Sequence, residues 1–405
     1  MKKRFTEAQY KRLYPSSSRP GLFFGLAKVH KLRNGSTNVN ELPLRPVISN
    51  IGTATYELSK YLAKLLQPIA KSDFTIESTK DFVRKIREKK IDKEFEMVSF
   101  VSLFTPVPLD CTIDIILDKI YNQNLISTKL TREEMKLLLE VCTKEMHFSF
   151  DGNIFRQVNG VAMGSPLGPV IANIFMVELE KRLIPTMSDK ISLWFRYVDD
   201  TFTFIKRGQV DNVIEILNGF HENINFTFEK ETENSISFLD VKVIKKLDGS
   251  FDTDIYRKKT DTNVYLSWKG FAPKTWKIGT LKGLIRRAFT VCSTSEYREN
   301  EVAFLKKIFT KTNGFPSKVV SKVIKEVRDK MANETALNPI PSIPNVRPLE
   351  PATVDPQSSN DVCTPFMCLP YKGQQGEQIV RKFKDVLLKS IPNYVQPRIN
   401  YTGKN

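Results

Sequence analysis

Histidine and cysteine are scarce in this chain of 405 residues, and long apolar runs are absent. Three histidines, with Cys363 and Cys368, separated by four residues, as the nearest cysteines, argue against a zinc site built by this chain alone. The five cysteines (Cys111, Cys142, Cys292, Cys363 and Cys368) are odd in number and widely spread, which suits a reducing compartment and disfavours a disulfide framework. No stretch of eighteen apolar residues exists, so a membrane span is not expected. The first residues, MKKRFTEAQYKRLYPSSSRP, start basic like a secretory signal but lack the apolar segment that must follow. Acidic residues are outnumbered, 45 Asp and Glu against 62 Lys and Arg, a formal charge of +17. That excess favours polyanionic partners, nucleic acid first. It is also uneven: Lys242 to Arg287 holds twelve Lys or Arg and four Asp. Such concentration fits a phosphate-following track better than a uniformly basic surface.

What is present is a mixture of helical and strand periodicities. LPLRPVIS reads as a strand, and Leu58, Tyr61, Leu62, Leu65 and Leu66 predict a helix over Thr55 to Leu66. A second helix is expected from Lys80 to Lys90, a strand from Phe95 to Leu103 and a helix over Ile113 to Tyr121. Thr131 with Glu134 three positions on makes a capping box for the next helix. Val170 to Leu183 reads as a long buried helix, followed by strands around Tyr197 and Thr201 and a helix from Val210 to Phe220. NFTFEKE and ISFLDVKVIKK read as two short strands. This order is α+β, a small antiparallel sheet with helices on one face. From Lys277 to Lys330 the pattern is helical, punctuated by Gly314 and Pro316. Asn338 to Asp361, with six prolines, reads as an extended linker, and a helix is expected over Val380 to Lys389.

The chemistry centres on FRYVDDTFTFI, Phe195 to Ile205. β-Formers flank Asp199 and Asp200, so a tight hairpin would hold two carboxylates at the edge of a buried sheet. A surface turn is the plain alternative. Like charges in such a place are costly unless cations answer them. Paired divalent ions do so in phosphoryl and nucleotidyl transfer.

Seven motifs in order, including that hairpin, resemble the reverse transcriptases of Penelope-like retroelements. They are GLAKVHK at Gly25 to Lys31, LRPVIS at Leu44 to Ser49, VSLFTPVP at Val101 to Pro108, and RQVNGVAMGSPLGPVIANIFM at Arg156 to Met176. RYVDD at Arg196 to Asp200, FLDVKV at Phe238 to Val243 and APKTWKIGTLKGLIRRA at Ala272 to Ala288 follow. The resemblance spans nearly the whole chain. It implies a right-hand polymerase fold: fingers over 1–90, a palm with the small antiparallel sheet over 91–248, and a connection and helical thumb over 249–337. A linker over 338–361 and a C-terminal segment over 362–405 complete the expected organisation. The implied activity is copying RNA into DNA, with dNTP substrates, an RNA template, a DNA primer and their RNA–DNA hybrid as partners. The implied setting is intracellular, acting in the nucleus.

By the same resemblance Asp199 and Asp200 hold Mg²⁺, or Mn²⁺, and Asp199 is the stronger ligand. Arg45 approaches the triphosphate, although an ordinary surface ion pair would equally place an arginine there. Gln157 and Gly164 lie in the floor beneath the incoming nucleotide; independently, Gly160 and Gly164 remove side chains and permit close backbone approach. A glycine-bearing entry to the helix after Pro166 is the alternative. Phe104 either selects deoxynucleotides from beneath the sugar or is a core phenylalanine. Lys28 and Lys31 are candidates for the electrostatic clamp on phosphates. Phe238 and Leu239 fall where the family grips the primer end, or are sheet core. Lys282, Arg286 and Arg287 would follow the duplex backbone, Lys282 and Arg286 sharing a helix face. Trp268 and Trp276 are either base-stacking or packing residues.

One departure matters. Family members usually read VSFDVVSLFT where this chain reads VSFVSLFT, so Asp and Val are missing between Phe100 and Val101. That Asp would bridge both metals from the neighbouring strand. Glu96 lies roughly 13 Å from Phe100 along an extended strand and cannot replace it. Family members also continue into a GIY-YIG nuclease, whose motif these residues lack, so no endonuclease is expected of them. Two functions stay open: an RNA-directed DNA polymerase with impaired chemistry, or a non-catalytic nucleic-acid-binding remnant.

Overall fold

The structure, a computed structural model, describes residues 4–15, 17–27, 44–102, 107–158, 160–258, 260–337, 366–370 and 398–402. The chain forms two compact units, Met1–Thr260 and Asp261–Asn405.

The first unit opens with helix α1 (Glu7–Leu13) and strands β1 (Gly21–Ala27) and β2 (Leu44–Ser49). Helices α2 (Tyr56–Leu66) and α3 (Thr79–Arg87) precede strand β3 (Phe95–Ser102), and helices α4 (Leu109–Tyr121) and α5 (Arg132–Thr143) follow it. Thr131 caps α5 through the reciprocal box with Glu134 that the sequence predicts. A hairpin of β4 (His147–Phe150) and β5 (Asn153–Arg156) leads to helix α6 (Gly168–Leu183). Strands β6 (Ile191–Tyr197) and β7 (Asp200–Lys206), helix α7 (Val210–Asn218) and strand β8 (Phe226–Lys230) come next. The unit ends with β9 (Ser235–Phe238), β10 (Val241–Lys245) and β11 (Phe251–Ile255).

These strands make three sheets. The central one, in the order β6-β7-β3-β8, is antiparallel throughout. Strand alternation gives it two faces. Val98 and Phe100 point into a core shared with α2, α4, α5, α6 and α7, which includes Leu62, Ile116, Leu139 and Phe175. Phe195, Phe202 and Phe204 point the other way, into an aromatic layer with Phe82 of α3, Phe238 of β9 and Phe251 of β11. The sheet is therefore covered on both faces, not by helices on one. The second cover is the antiparallel sheet β9-β10-β11 with α3. The expected single strand ISFLDVKVIKK is split, because Leu239 and Asp240 adopt φ of 49° and 59° and turn β9 back into β10. The β10–β11 hairpin also crosses the boundary expected at 248/249.

The third sheet runs β2-β1-β4-β5. β1 and the β4–β5 hairpin are strands that the sequence reading missed, although Asp151-Gly152, with φ of 48° and 76°, is the usual signature of a two-residue hairpin turn.

In the second unit, helices α8 (Lys274–Val291), α9 (Ser295–Lys311) and α10 (Ser317–Leu337) bury Leu281, Ile285, Leu305, Phe309 and Val320 against each other. Gly314, at φ 69°, and Pro316 separate α9 from α10 as expected. Asn313 is buried; it accepts from the Tyr265 amide and donates to the Asn263 carbonyl, pinning the incoming segment. Strands β12 (Phe366–Pro370) and β13 (Arg398–Thr402) pair in parallel. The linker expected over Asn338 to Asp361 and the helix expected over Val380 to Lys389 lie outside the described residues.

Candidate functional site

Tyr197 pairs with Asp200, so β6 and β7 are joined by a two-residue turn, Val198-Asp199. Turns of this length need positive φ at their first central position and favour glycine or asparagine there. Here a β-branched residue takes it, Val198 at φ 55°, a conformation such residues rarely adopt. Both carboxylates of the pair are half-buried at the end of the sheet. Burial raises the Asp199 carboxyl above the ordinary range, opposed by its own backbone amide and by the nearby Arg45 guanidinium. Burial likewise raises Asp200, to about 6; the charges of Asp199 and Asp240 add to this and Lys258 opposes it. Burial and mutual repulsion outweigh the two cations that act on the pair, and a divalent cation would relieve such crowding of carboxylates.

The neighbouring strand decides how complete the site is. Val101 of β3 lies directly across from Asp200. Paired residues share a face, so the position opposite the carboxylate is occupied by an apolar side chain, 38% exposed. Glu96 sits opposite Ile205 near the far end of β3, where it faces Arg207, and Asp110 pairs with Lys144. Neither is among the charges that act on the acidic pair. Among the described residues no group of three or more His, Cys, Asp or Glu could hold a metal ion.

The other expected residues divide. Arg45, exposed on β2 opposite Leu26, acts electrostatically on Asp199 and so belongs to this neighbourhood. Gln157 lines a separate cleft of about 810 Å³ with Asp110, Lys144, Arg156, Gly160 and His221. Gly164 needs its missing side chain for an internal reason: at φ 120°, an added Cβ would stand 2.1 Å from the Ile48 carbonyl oxygen of β2. The close approach is to protein backbone. Phe238 is a buried member of the aromatic layer, 4.7 Å from Phe82 between ring centres, so its side chain is core and not a surface contact for a primer. Leu239 shapes the turn after β9. Phe104, Lys28 and Lys31 lie outside the described residues.

On α8, Lys282, expected to follow the duplex, is bound to Glu326 of α10 at 2.9 Å within the unit. Arg286 lies one helical turn further on. Trp268 packs on Phe315 with Lys274 and Lys277 over its ring, and buried Lys277 donates to the carbonyls of Trp268 and Gly270. The half-buried Trp268 ring thus packs within its own unit. Sequence reasoning missed Lys258 and Asp240, which have no local pattern to announce them, and Arg196, whose place in RYVDD it recorded without a role.

Comparison with solved structures places this architecture. Telomerase from Candida albicans, in complex with a fragment of telomeric RNA, matches with a TM-score of 0.53 at 12% identity over 82% of this chain. The chain has a polymerase-like fold. It spans 62% of that telomerase's length. The RNA-dependent RNA polymerase of a human picobirnavirus matches with a TM-score of 0.48 at 11% identity, over 78% of this chain and 61% of its own. The Sicinivirus RNA-dependent RNA polymerase gives 0.46 at 10% identity over 79% of this chain and 71% of that one. The fold assignment rests on the telomerase match. The model of an animal helix-turn-helix domain matches residues 264–325, which run from the segment before α8 into α10. No curated protein matches the chain.

Proposed function

We propose that this chain is the reverse transcriptase scaffold of a Penelope-like retroelement, with polymerase chemistry severely reduced by the loss of one acidic ligand. The observation that carries the reading is the Asp199-Asp200 turn at the end of an antiparallel sheet, in a polymerase-like fold, with Val101 across from it. In this reading the sheet β6-β7-β3-β8 is the palm, β1 and β2 belong to the fingers, and α8–α10 form the thumb. Asp199 and Asp200 would hold Mg²⁺ or Mn²⁺. When bound, such ions activate the primer hydroxyl and neutralise the departing pyrophosphate. Arg45, beside Asp199, meets the triphosphate of a dNTP, and Lys258 offsets charge around Asp200. The basic face of α8 follows the RNA–DNA hybrid through its phosphates.

Val101 also favours a second reading, a non-catalytic remnant that binds primed template without extending it. Primer extension on an RNA template with Mg²⁺ or Mn²⁺ separates the two. The unmodified chain is expected to extend poorly, and a variant with Asp-Val inserted after Phe100 to gain extension that Asp199→Asn abolishes. Robust extension by the unmodified chain refutes the impairment. Absence of any extension by the inserted variant, with template binding intact, favours the remnant. Failure to bind a primed template at all rejects both.

A further inference from the structure

The face of β6 turned away from Asp200 carries Arg196, a wholly buried cation. Its Nε donates to Glu180 Oε1 at 2.6 Å and its Nη2 to Glu180 Oε2 at 3.2 Å, a forked pair with an equally buried carboxylate on α6. Glu180 is saturated, since Trp194 Nε1 and Ser72 Oγ also donate to it, at 3.1 and 2.8 Å. The backbone of Arg196 is fixed as well: its amide donates to the Phe74 carbonyl, and its carbonyl accepts from the Ile76 amide. This leaves Nη1, which donates to Asn173 Oδ1 at 2.7 Å and to the Val198 carbonyl at 3.2 Å.

That last bond reaches the residue with the unfavourable backbone. A β-branched residue at positive φ persists only where its surroundings hold it there. A buried ion pair is moreover a poor way to gain stability compared with apolar side chains of the same size. A guanidinium clamped on two sides and aimed at the turn has a use that an apolar pair would not. We propose that Arg196 is a positioning residue: anchored by Glu180 and Asn173 of α6, it fixes the Val198 carbonyl and thereby the directions of the Asp199 and Asp200 carboxylates. The helix that follows the glycine-rich segment thus sets the geometry of the acidic turn from beneath the sheet. The inference rests on the reading of that turn as a metal site.

The test separates holding the turn from merely neutralising Glu180. Arg196→Met strands a buried carboxylate and is expected to lower the unfolding temperature. Adding Glu180→Gln removes the stranded charge, keeps an acceptor for Trp194 Nε1 and offers Ser72 a donor, so most of the unfolding temperature should return. The amides of Tyr197 to Thr201 should nevertheless exchange with deuterium at least tenfold faster than in the unmodified chain, roughly the value of one hydrogen bond from a charged donor. Mn²⁺, added alone and followed by electron paramagnetic resonance, should bind at least about tenfold more weakly. Arg196→Lys, which keeps a cation beside Glu180 but lacks the fork, should fold near normally and show the same loosened turn. Recovery of slow exchange in the double variant, or its retention in Arg196→Lys, overturns the proposal. If the unmodified chain shows no Mn²⁺ binding that Asp199→Asn removes, the metal reading fails, and the exchange comparison still decides the role of Arg196.

Discussion

Replacing Val101 by Asp puts the pairing of β3 with β7 to a direct test. Val101 lies opposite Asp200 and on the same face of the sheet, so a carboxylate there would have its Cβ about 5 Å from that of Asp200. Two unit charges at about 5 Å repel by about 3 kcal/mol at an effective dielectric near 20. Position 101 is partly exposed, and solvent screening should reduce this to about 1–2 kcal/mol. The packing forfeited by one exposed valine is small beside that. Without divalent metal, Val101→Asp should therefore unfold at a lower temperature than the unmodified chain. With metal the order should reverse. On the proposed reading a third carboxylate would complete a ligand set, and a cation bound only by the folded state stabilises by about 2.7 kcal/mol at a hundredfold excess over its dissociation constant. Thermal unfolding with EDTA and with millimolar Mn²⁺, beside primer extension on an RNA template, provides the assay. A variant that is equally stable in both conditions, with no greater response to metal than the unmodified chain, refutes the reasoning.

The raised Asp200 carboxyl predicts a pH dependence opposite to that of a salt-bridged carboxylate. Its proton is held more tightly in the folded state, so its contribution is fully present below the ordinary value of 3.8 and is lost as pH rises through about 6. Urea unfolding across pH 4 to 7 should show that decline, Asp200→Asn should flatten it, and an unchanged profile in the variant would refute the assignment. Gly164→Ala forces a Cβ against the Ile48 carbonyl at a φ of 120°; a loss of more than about 2 kcal/mol is expected in chemical denaturation, and a neutral effect would show that the α6 entry can move away from β2. Neutralising Lys282, Arg286 and Arg287 together should weaken binding to a primed template most at low salt, flattening the salt slope by roughly one for each phosphate that no longer meets a cation. Lys282→Gln alone should do less, because that ammonium already faces Glu326; unchanged binding in the triple variant removes α8 from the interface.

Periodicity made helices α2 to α7 readable, whereas the short α1 (Glu7–Leu13) was not expected. The α5 capping box, the α6 start and the α9–α10 break all fall where local chemistry places them. The hairpin with Asp199 and Asp200 was readable for the same reason, since β-formers surround a pair that apolar packing cannot accept. Strand β1 was missed because GLFFGLA alternates weakly and contains two glycines. The break at Leu239-Asp240 was missed because leucine is not a usual turn former at positive φ and Asp240 alone, without a glycine beside it, is a weak turn signal. Phe238 shows the limit of motif reasoning: an aromatic in a functional motif and an aromatic in a core look alike until Phe82 and Phe202 are found against it. Long-range electrostatics were unreadable in principle, since Arg45, Lys258 and Asp240 reach the acidic pair only through tertiary packing.

Burial on both sides of β3 has a lineage consequence. Met97 and Ser99 face one layer while Val98 and Phe100 face the other, and all four are buried. Deleting a single residue within this strand would turn every side chain beyond it inside out and spoil both layers at once. Deleting two restores each to its own side. On the proposed reading, an Asp-Val pair would be the shortest excision that such a strand can survive, and the expected outcome is a protein that keeps its fold while its chemistry fails.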